Sequence, residues 1–131
     1  MSEDLLRRYY AAFNQGDSAA MIDLLTEDVV HEPSQGKPRE GKARFAEFLD
    51  HMNRCYREEV IEPLFMISAD GSRGAAEFML NGTYLEDDDG LPPARGQQYR
   101  LRVGAFFDVR DGRIARVSNH YNLADWTAQV A

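Results

Sequence analysis

The chain has 131 residues, a formal net charge of −7 and a sequence pI of about 4.9, which argues against a surface for nucleic acid or an anionic membrane. It contains no apolar run of the roughly 18 residues that a membrane span needs and no signal-peptide pattern, and its single cysteine, Cys55, excludes an internal disulfide. We therefore expect a single domain over residues 1–131, located in the cytoplasm.

The first predicted elements are two helices with almost no linker between them. Apolar residues recur at helical spacing over residues 3–15, while charged residues occupy the other face. Gly16 is a typical residue just beyond a helix end, and Asp17 is a typical N-cap for a short second helix that ends near Leu25.

A short strand and a third helix follow. Residues 29–32 have the β-branched start of a strand, and Pro33 with the polar stretch 34–40 ends it. Apolar residues at helical spacing predict a helix from about Lys42 to Arg57.

The C-terminal half reads as four strands, at residues 60–69, 74–85, 97–109 and 113–123. Pro63 predicts an edge or bulged position in the first of them. Helices gathered before a run of strands indicate an α+β fold, in which the helices cover the apolar face of the sheet.

The last two strands, over residues 101–123, give the clearest hairpin signal of the chain. A two-residue loop would mix apolar and charged residues on both faces. A three-residue loop at 110–112 with a bulged glycine places Phe107 opposite Ala115 and gathers one apolar face. We predict this second register, which leaves Asn119 as the one polar residue on that face.

Three segments carry a resemblance to a known family: R-Y-Y-A-A-F-N-Q-G-D at 8–17, L-L-T-E-D-V-V-H-E at 24–32 and F-D-V-R-D-G-R-I at 107–114. Together with the order of elements, they resemble the nuclear transport factor 2-like superfamily in its ketosteroid isomerase-like and SnoaL-like branch. The resemblance implies a cone-shaped, curved mixed or antiparallel sheet of the cystatin-like type, wrapped around the N-terminal helices. It also implies a deep apolar pocket for a small molecule, and a homodimer.

The resemblance also suggests site residues. Tyr9 matches the tyrosine that donates to the oxyanion in the isomerase, and Glu32 is the nearest match to its general base. Asn119 falls at or beside the working aspartate of many SnoaL-like proteins. Ala105 replaces the second acidic donor of the isomerase, which argues against steroid isomerase activity proper. His31 is a further candidate catalytic residue; its other interpretation is a strand histidine packed on a helix.

The predicted pocket is lined by apolar and aromatic residues, namely Phe13, Phe48, Met52, Phe78, Phe107, Tyr121 and Trp126. No cluster of histidine, cysteine and carboxylate residues has zinc-ligand spacing in the sequence, and no phosphate-binding loop is present. We therefore expect no metal and no cofactor.

Two functions fit these residues. The first is a cofactor-independent enzyme of the isomerase, cyclase or hydrolase type, in which Glu32 abstracts a proton from, or activates water against, a small apolar carbonyl or epoxide compound. Tyr9 and Asn119 would then stabilise or orient its oxygen. The alternative is a non-catalytic module that binds a hydrophobic ligand or associates as a dimer.

Overall fold

The structure is a computed structural model that describes residues 2–131. It has four helices and six strands. In chain order they are α1 (Ser2–Asn14), α2 (Ser18–Asp23), β1 (Leu25–Glu32), β2 (Arg39–Glu40), α3 (Lys42–Cys55), β3 (Tyr56–Ile67), β4 (Arg73–Tyr84), β5 (Gln98–Arg110), β6 (Arg113–His120) and α4 (Leu123–Val130). None of the helices within residues 2–131 is long and apolar enough to cross a membrane.

The six strands form one curved sheet in the order β2-β1-β6-β5-β4-β3. β1 pairs with β6 in parallel, and the other neighbours are antiparallel. The predicted α+β fold with a mixed, curved sheet is confirmed. β3 is an edge strand, and its pairing with β4 shifts between Ile61 and Leu64, so the edge and bulge that Pro63 predicted are both present.

The helices cover the inner face of the sheet, as the α+β pattern requires. α1 contributes Leu5, Leu6, Tyr9 and Tyr10 to the core, all at most 5% exposed. Asn14, at the end of α1, holds the helix against the sheet, because its side-chain amide accepts from the Val60 N–H (2.8 Å) and donates to the Val60 carbonyl (2.9 Å).

The junction of α3 and β3 differs from the prediction. The helix ends at Cys55 rather than Arg57, and the strand begins at Tyr56 rather than Val60. The charged sequence after Tyr56 can extend the polar face of a helix, and only its pairing with β4 makes it a strand. β1 likewise begins four residues early, at Leu25.

The C-terminal helix α4 was not predicted. The sequence signal for it is Asn122, which acts as an N-cap by accepting from the backbone N–H of Asp125 at 3.1 Å. α4 buries Trp126 and Val130 against the sheet and packs on β5, so it closes one end of the curved sheet.

The predicted turn of the β5–β6 hairpin is wrong. Arg110 lies opposite Arg113, so the loop has two residues. Asp111 and Gly112 both have positive φ, 53° and 74°, as a type I′ turn requires. The extra residue is instead accommodated at Ala115, where the register shifts.

The strand pairing therefore differs by two residues from the prediction. Phe107 lies opposite Val117, and Ala105 lies opposite Asn119. Because side chains alternate with a period of two, a shift of two residues keeps every side chain on the same face. The inner face is thus the apolar face that the pattern predicted, and it includes Asn119.

Candidate active site

A cavity of about 760 Å³ lies between the inner face of the sheet and helices α1, α3 and α4. This volume is within the range of small-molecule sites. Its walls are largely apolar and aromatic. Six of the seven residues predicted to line a pocket do line it: Phe13, Phe48, Met52, Phe78, Tyr121 and Trp126.

Phe107 does not line the cavity. Its side chain is fully buried and packs edge-on against Tyr9, at a centroid distance of 5.8 Å, and against Tyr10, at 6.1 Å. Phe107 is therefore a core residue behind the cavity wall, and that part of the lining prediction is wrong.

Glu32 lies outside the cavity, on the outer face of the sheet. Its Oε1 accepts from Nη1 of Arg116 at 2.9 Å, and its side chain is 40% exposed. Arg116 also bridges to Asp108. Since side chains alternate along β1 and His31 faces inward, Glu32 must face outward. The structure thus does not place Glu32 where a general base for a cavity-bound substrate would act.

His31 is the β1 residue that faces the cavity, and it is 1% exposed. Its ring lies between two aromatic rings of α3, with centroids 4.9 Å from Phe45 and 4.3 Å from Phe48. Burial, and next the positive charge of Arg39, lower the pKa of His31 from 6.5 to about 4. The imidazole is therefore neutral at pH 7. Its Nδ1 is buried with no hydrogen-bond partner among residues 2–131.

Tyr9 and Asn119 both line the cavity. Tyr9 comes from the buried side of α1, and burial raises the pKa of its phenol well above 10, so the hydroxyl keeps its proton and can donate it. Asn119 comes from β6 and is half-buried. The fold thus brings Tyr9, His31 and Asn119 to one cavity.

Glu58 is a carboxyl group of the cavity wall that the sequence did not single out. The phenol of Tyr99, which is 4% exposed, donates to Oε2 of Glu58 at 2.5 Å. Burial raises the pKa of Glu58, and the bond from Tyr99 offsets part of that rise. The inward alternation of Tyr56, Glu58 and Val60 would have revealed it if β3 had been predicted to start at Tyr56.

A second carboxyl group, Asp88, lies in the loop between β4 and β5 and also lines the cavity. Its Oδ2 accepts from the hydroxyl of Tyr56 at 2.6 Å, and its Oδ1 lies 3.0 Å from Nε2 of His51. Asp88 therefore ties the loop between β4 and β5 to α3 and β3.

Comparisons with known proteins agree with this fold. Residues 6–117 match the sequence profile of the SnoaL-like domain family. A proposed polyketide cyclase from Pseudomonas putida KT2440 is 56% identical, with a TM-score of 0.98 over 100% of this chain and 98% of that one. One from Silicibacter sp. TM1040 is 48% identical, with a TM-score of 0.97 over 99% and 95% of the two chains.

A more distant structure shows the same fold. A nuclear transport factor 2-like protein of unknown function from Burkholderia pseudomallei K96243 is 17% identical, with a TM-score of 0.84 over 99% of this chain and 97% of that one. The predicted nuclear transport factor 2-like architecture is therefore confirmed.

Proposed function

Because the chain belongs to the SnoaL-like domain family, we propose that it is an enzyme that moves a proton on a small, apolar carbonyl compound bound in the cavity, with Glu58 as the general acid and base. The observation that carries this proposal is a carboxyl group with a raised pKa in the wall of a largely apolar and aromatic cavity. Glu58 takes the role that the family resemblance suggested for Glu32.

The environment of Glu58 suits a general base. A carboxylate whose pKa is raised by burial is more basic, and general bases work best with a pKa near the working pH. The hydrogen bond from Tyr99 holds Oε2, which leaves Oε1 available to accept a proton from a substrate. In the protonated form the same carboxyl returns the proton to another atom of the substrate.

The other polar groups of the cavity suit the oxygen of the reacting carbonyl. When Glu58 removes a proton from the carbon beside a carbonyl, negative charge develops on the carbonyl oxygen, and hydrogen-bond donors aimed at it lower the barrier. Tyr9 and Asn119 both carry such donors and line the cavity. The resulting enolate is reprotonated at another carbon, which is isomerisation, or its carbon attacks a second carbonyl within the substrate, which is cyclisation.

The volume and lining of the cavity indicate the class of substrate. A cavity of about 760 Å³ lined by aromatic rings favours a neutral, multi-ring or ring-forming compound with few polar groups. The two relatives of 56% and 48% identity, both described as proposed polyketide cyclases, support a substrate with several carbonyl groups. In this proposal the side chain of Glu58 carries out the proton transfer, assisted by those of Tyr9 and Asn119.

A reactive probe tests the base directly. 5-Nitrobenzisoxazole opens when a base removes its ring C–H proton and the N–O bond breaks, which releases a coloured phenolate. We expect the protein to accelerate this reaction and Glu58→Gln to lower the rate by about 100-fold or more. Glu59→Gln is the matched control, because Glu59 is the next residue of β3 and is exposed to solvent; its rate should be unchanged.

The pH profile adds a second readout. The rate should rise with pH as Glu58 loses its proton, with a midpoint above the ordinary carboxyl value of 4.5. Tyr99→Phe removes a hydrogen bond that favours the ionised form, so it should move the midpoint to higher pH. Saturable binding of the probe with no rate difference between wild type and Glu58→Gln would contradict the enzyme and support a ligand-binding module.

A further inference from the structure

Three potential metal ligands meet beside the cavity, where α3 contacts the loop between β4 and β5. Nε2 of His51, Sγ of Cys55 and a carboxylate oxygen of Asp88 all lie within 4.8 Å of one another. We propose that these three side chains bind a zinc ion. The site is not visible as a spacing motif in the sequence, since Asp88 follows Cys55 by 33 residues and only the fold brings them together.

The distances fit a tetrahedral ion. With zinc–nitrogen and zinc–oxygen bonds of about 2.1 Å and a zinc–sulfur bond of about 2.3 Å, tetrahedral ligands lie roughly 3.4 to 3.6 Å apart. Nε2 of His51 lies 3.0 Å from Oδ1 of Asp88 and 4.0 Å from Sγ of Cys55. The remaining pair, Asp88 and Cys55, lies within 4.8 Å, so side-chain movements of up to about one ångström would give the zinc geometry.

Local structure already holds the three ligands in place. His51 and Cys55 are four residues apart in the last two turns of α3, a spacing that puts both side chains on one face of the helix. Asp88 is fixed by the hydroxyl of Tyr56, which donates to Oδ2 at 2.6 Å and leaves Oδ1 directed at His51. Such outer hydrogen bonds orient the ligands of metal sites.

The ligand atoms of His51, Cys55 and Asp88 indicate which metal the site would bind. A thiolate, an imidazole and a carboxylate together suit zinc, whereas magnesium and calcium prefer oxygen ligands alone. Two anionic ligands would balance the charge of a divalent ion. His51 and Asp88 both line the cavity, while Cys55 lies behind them and is 1% exposed. Three protein ligands leave a fourth position, as in catalytic rather than structural zinc sites.

Arg54 should weaken zinc binding, so its substitution is expected to increase the zinc affinity. Its Nη2 lies 3.1 Å from Nδ1 of His51 in an exposed contact, so the ring proton is on Nε2, the atom that faces Asp88. Zinc at Nε2 requires that proton to move to Nδ1 and Arg54 to turn into solvent. Arg54→Ala removes this competition and a nearby positive charge, so it should tighten zinc binding.

Cobalt substitution and zinc titration test the site. Wild-type protein loaded with Co²⁺ should show a thiolate-to-cobalt charge-transfer band, and dialysed protein should retain one zinc per chain. Cys55→Ser should abolish the band, and Asp88→Asn should weaken zinc binding by about 100-fold or more, with Tyr56→Phe weakening it by about 10-fold. Asp89→Asn is the matched control, because Asp89 also lines the cavity but lies outside the cluster.

Two results would overturn the proposal: no charge-transfer band in the wild type, or zinc affinity that Asp88→Asn and Asp89→Asn alter equally. Asp88→Asn and Tyr56→Phe leave the buried thiol in place, so a Cys55→Ser protein that does not fold would still leave the test decisive. The outcome is independent of the proposed function, since the benzisoxazole reaction of chelator-treated protein reports on Glu58 alone.

Discussion

His31 should make this protein less stable in mild acid. Its imidazole is 1% exposed and packs between Phe45 and Phe48, so the protonated form is poorly accommodated in the folded state. The unfolded chain binds a proton near pH 6.5, and the folded protein binds it only near pH 4. Between these values the unfolded state holds more protons, and the free energy of unfolding must fall as the pH falls.

The size of the effect follows from the pKa values. A fall in pKa from 6.5 to about 4, at about 1.4 kcal/mol per pH unit, amounts to about 3 kcal/mol. Almost none of this loss is present at pH 7.5, and most of it is present at pH 4. For a domain whose total stability is of the order of 5 to 15 kcal/mol, this is a large fraction.

The assay is urea unfolding of wild type and His31→Leu at several pH values between 4 and 7.5. The difference between the two proteins isolates His31 from all other titrating groups, and it should change by about 3 kcal/mol in favour of the variant as the pH falls. Phe48→Leu is the control, because it alters the same packing without removing a titrating group. A wild-type-minus-variant difference that is constant with pH would refute the reasoning.

Three further predictions concern the sheet. Gly82→Ala would place a Cβ 2.2 Å from the ring of Tyr99, so denaturant unfolding should show a loss of about 1 to 3 kcal/mol and the benzisoxazole rate should fall with it; an unchanged rate would contradict the role of the Tyr99 contact. Asn14→Ala should cost about 1 to 3 kcal/mol by leaving the N–H and carbonyl of Val60 without their partner, and a thermal melt that matches wild type would contradict this. The homodimer stays a prediction: light scattering should give about twice the chain mass of 14.9 kDa, and Phe106→Glu, on the outer face where Phe106 is 50% exposed, should give the monomer mass.

The sequence alone determined the kinds of element and their order. Period-3.6 and period-2 patterns and their stop residues are local properties, so they located three of the four helices and the long strands within a few residues. Pro63 marked the bulged edge strand for the same reason, because a residue without an N–H cannot serve inside a sheet. The apolar face that includes Asn119 was also predicted from local alternation. The prediction of that face holds although the predicted register was wrong by two residues, because such a shift leaves every side chain on the same face.

Only the tertiary structure decided which polar side chains enter the cavity. In Val29–Glu32 the pattern allows either His31 or Glu32 to face inward, and the packing of α3 over β1 selects His31. Glu58 faces the cavity because β3 begins at Tyr56, a boundary set by pairing with β4. Asp88 meets His51 and Cys55 across a long loop. The chain itself specifies alternation and periodicity, whereas the side of a strand that is buried depends on what packs against it, and that information is not local.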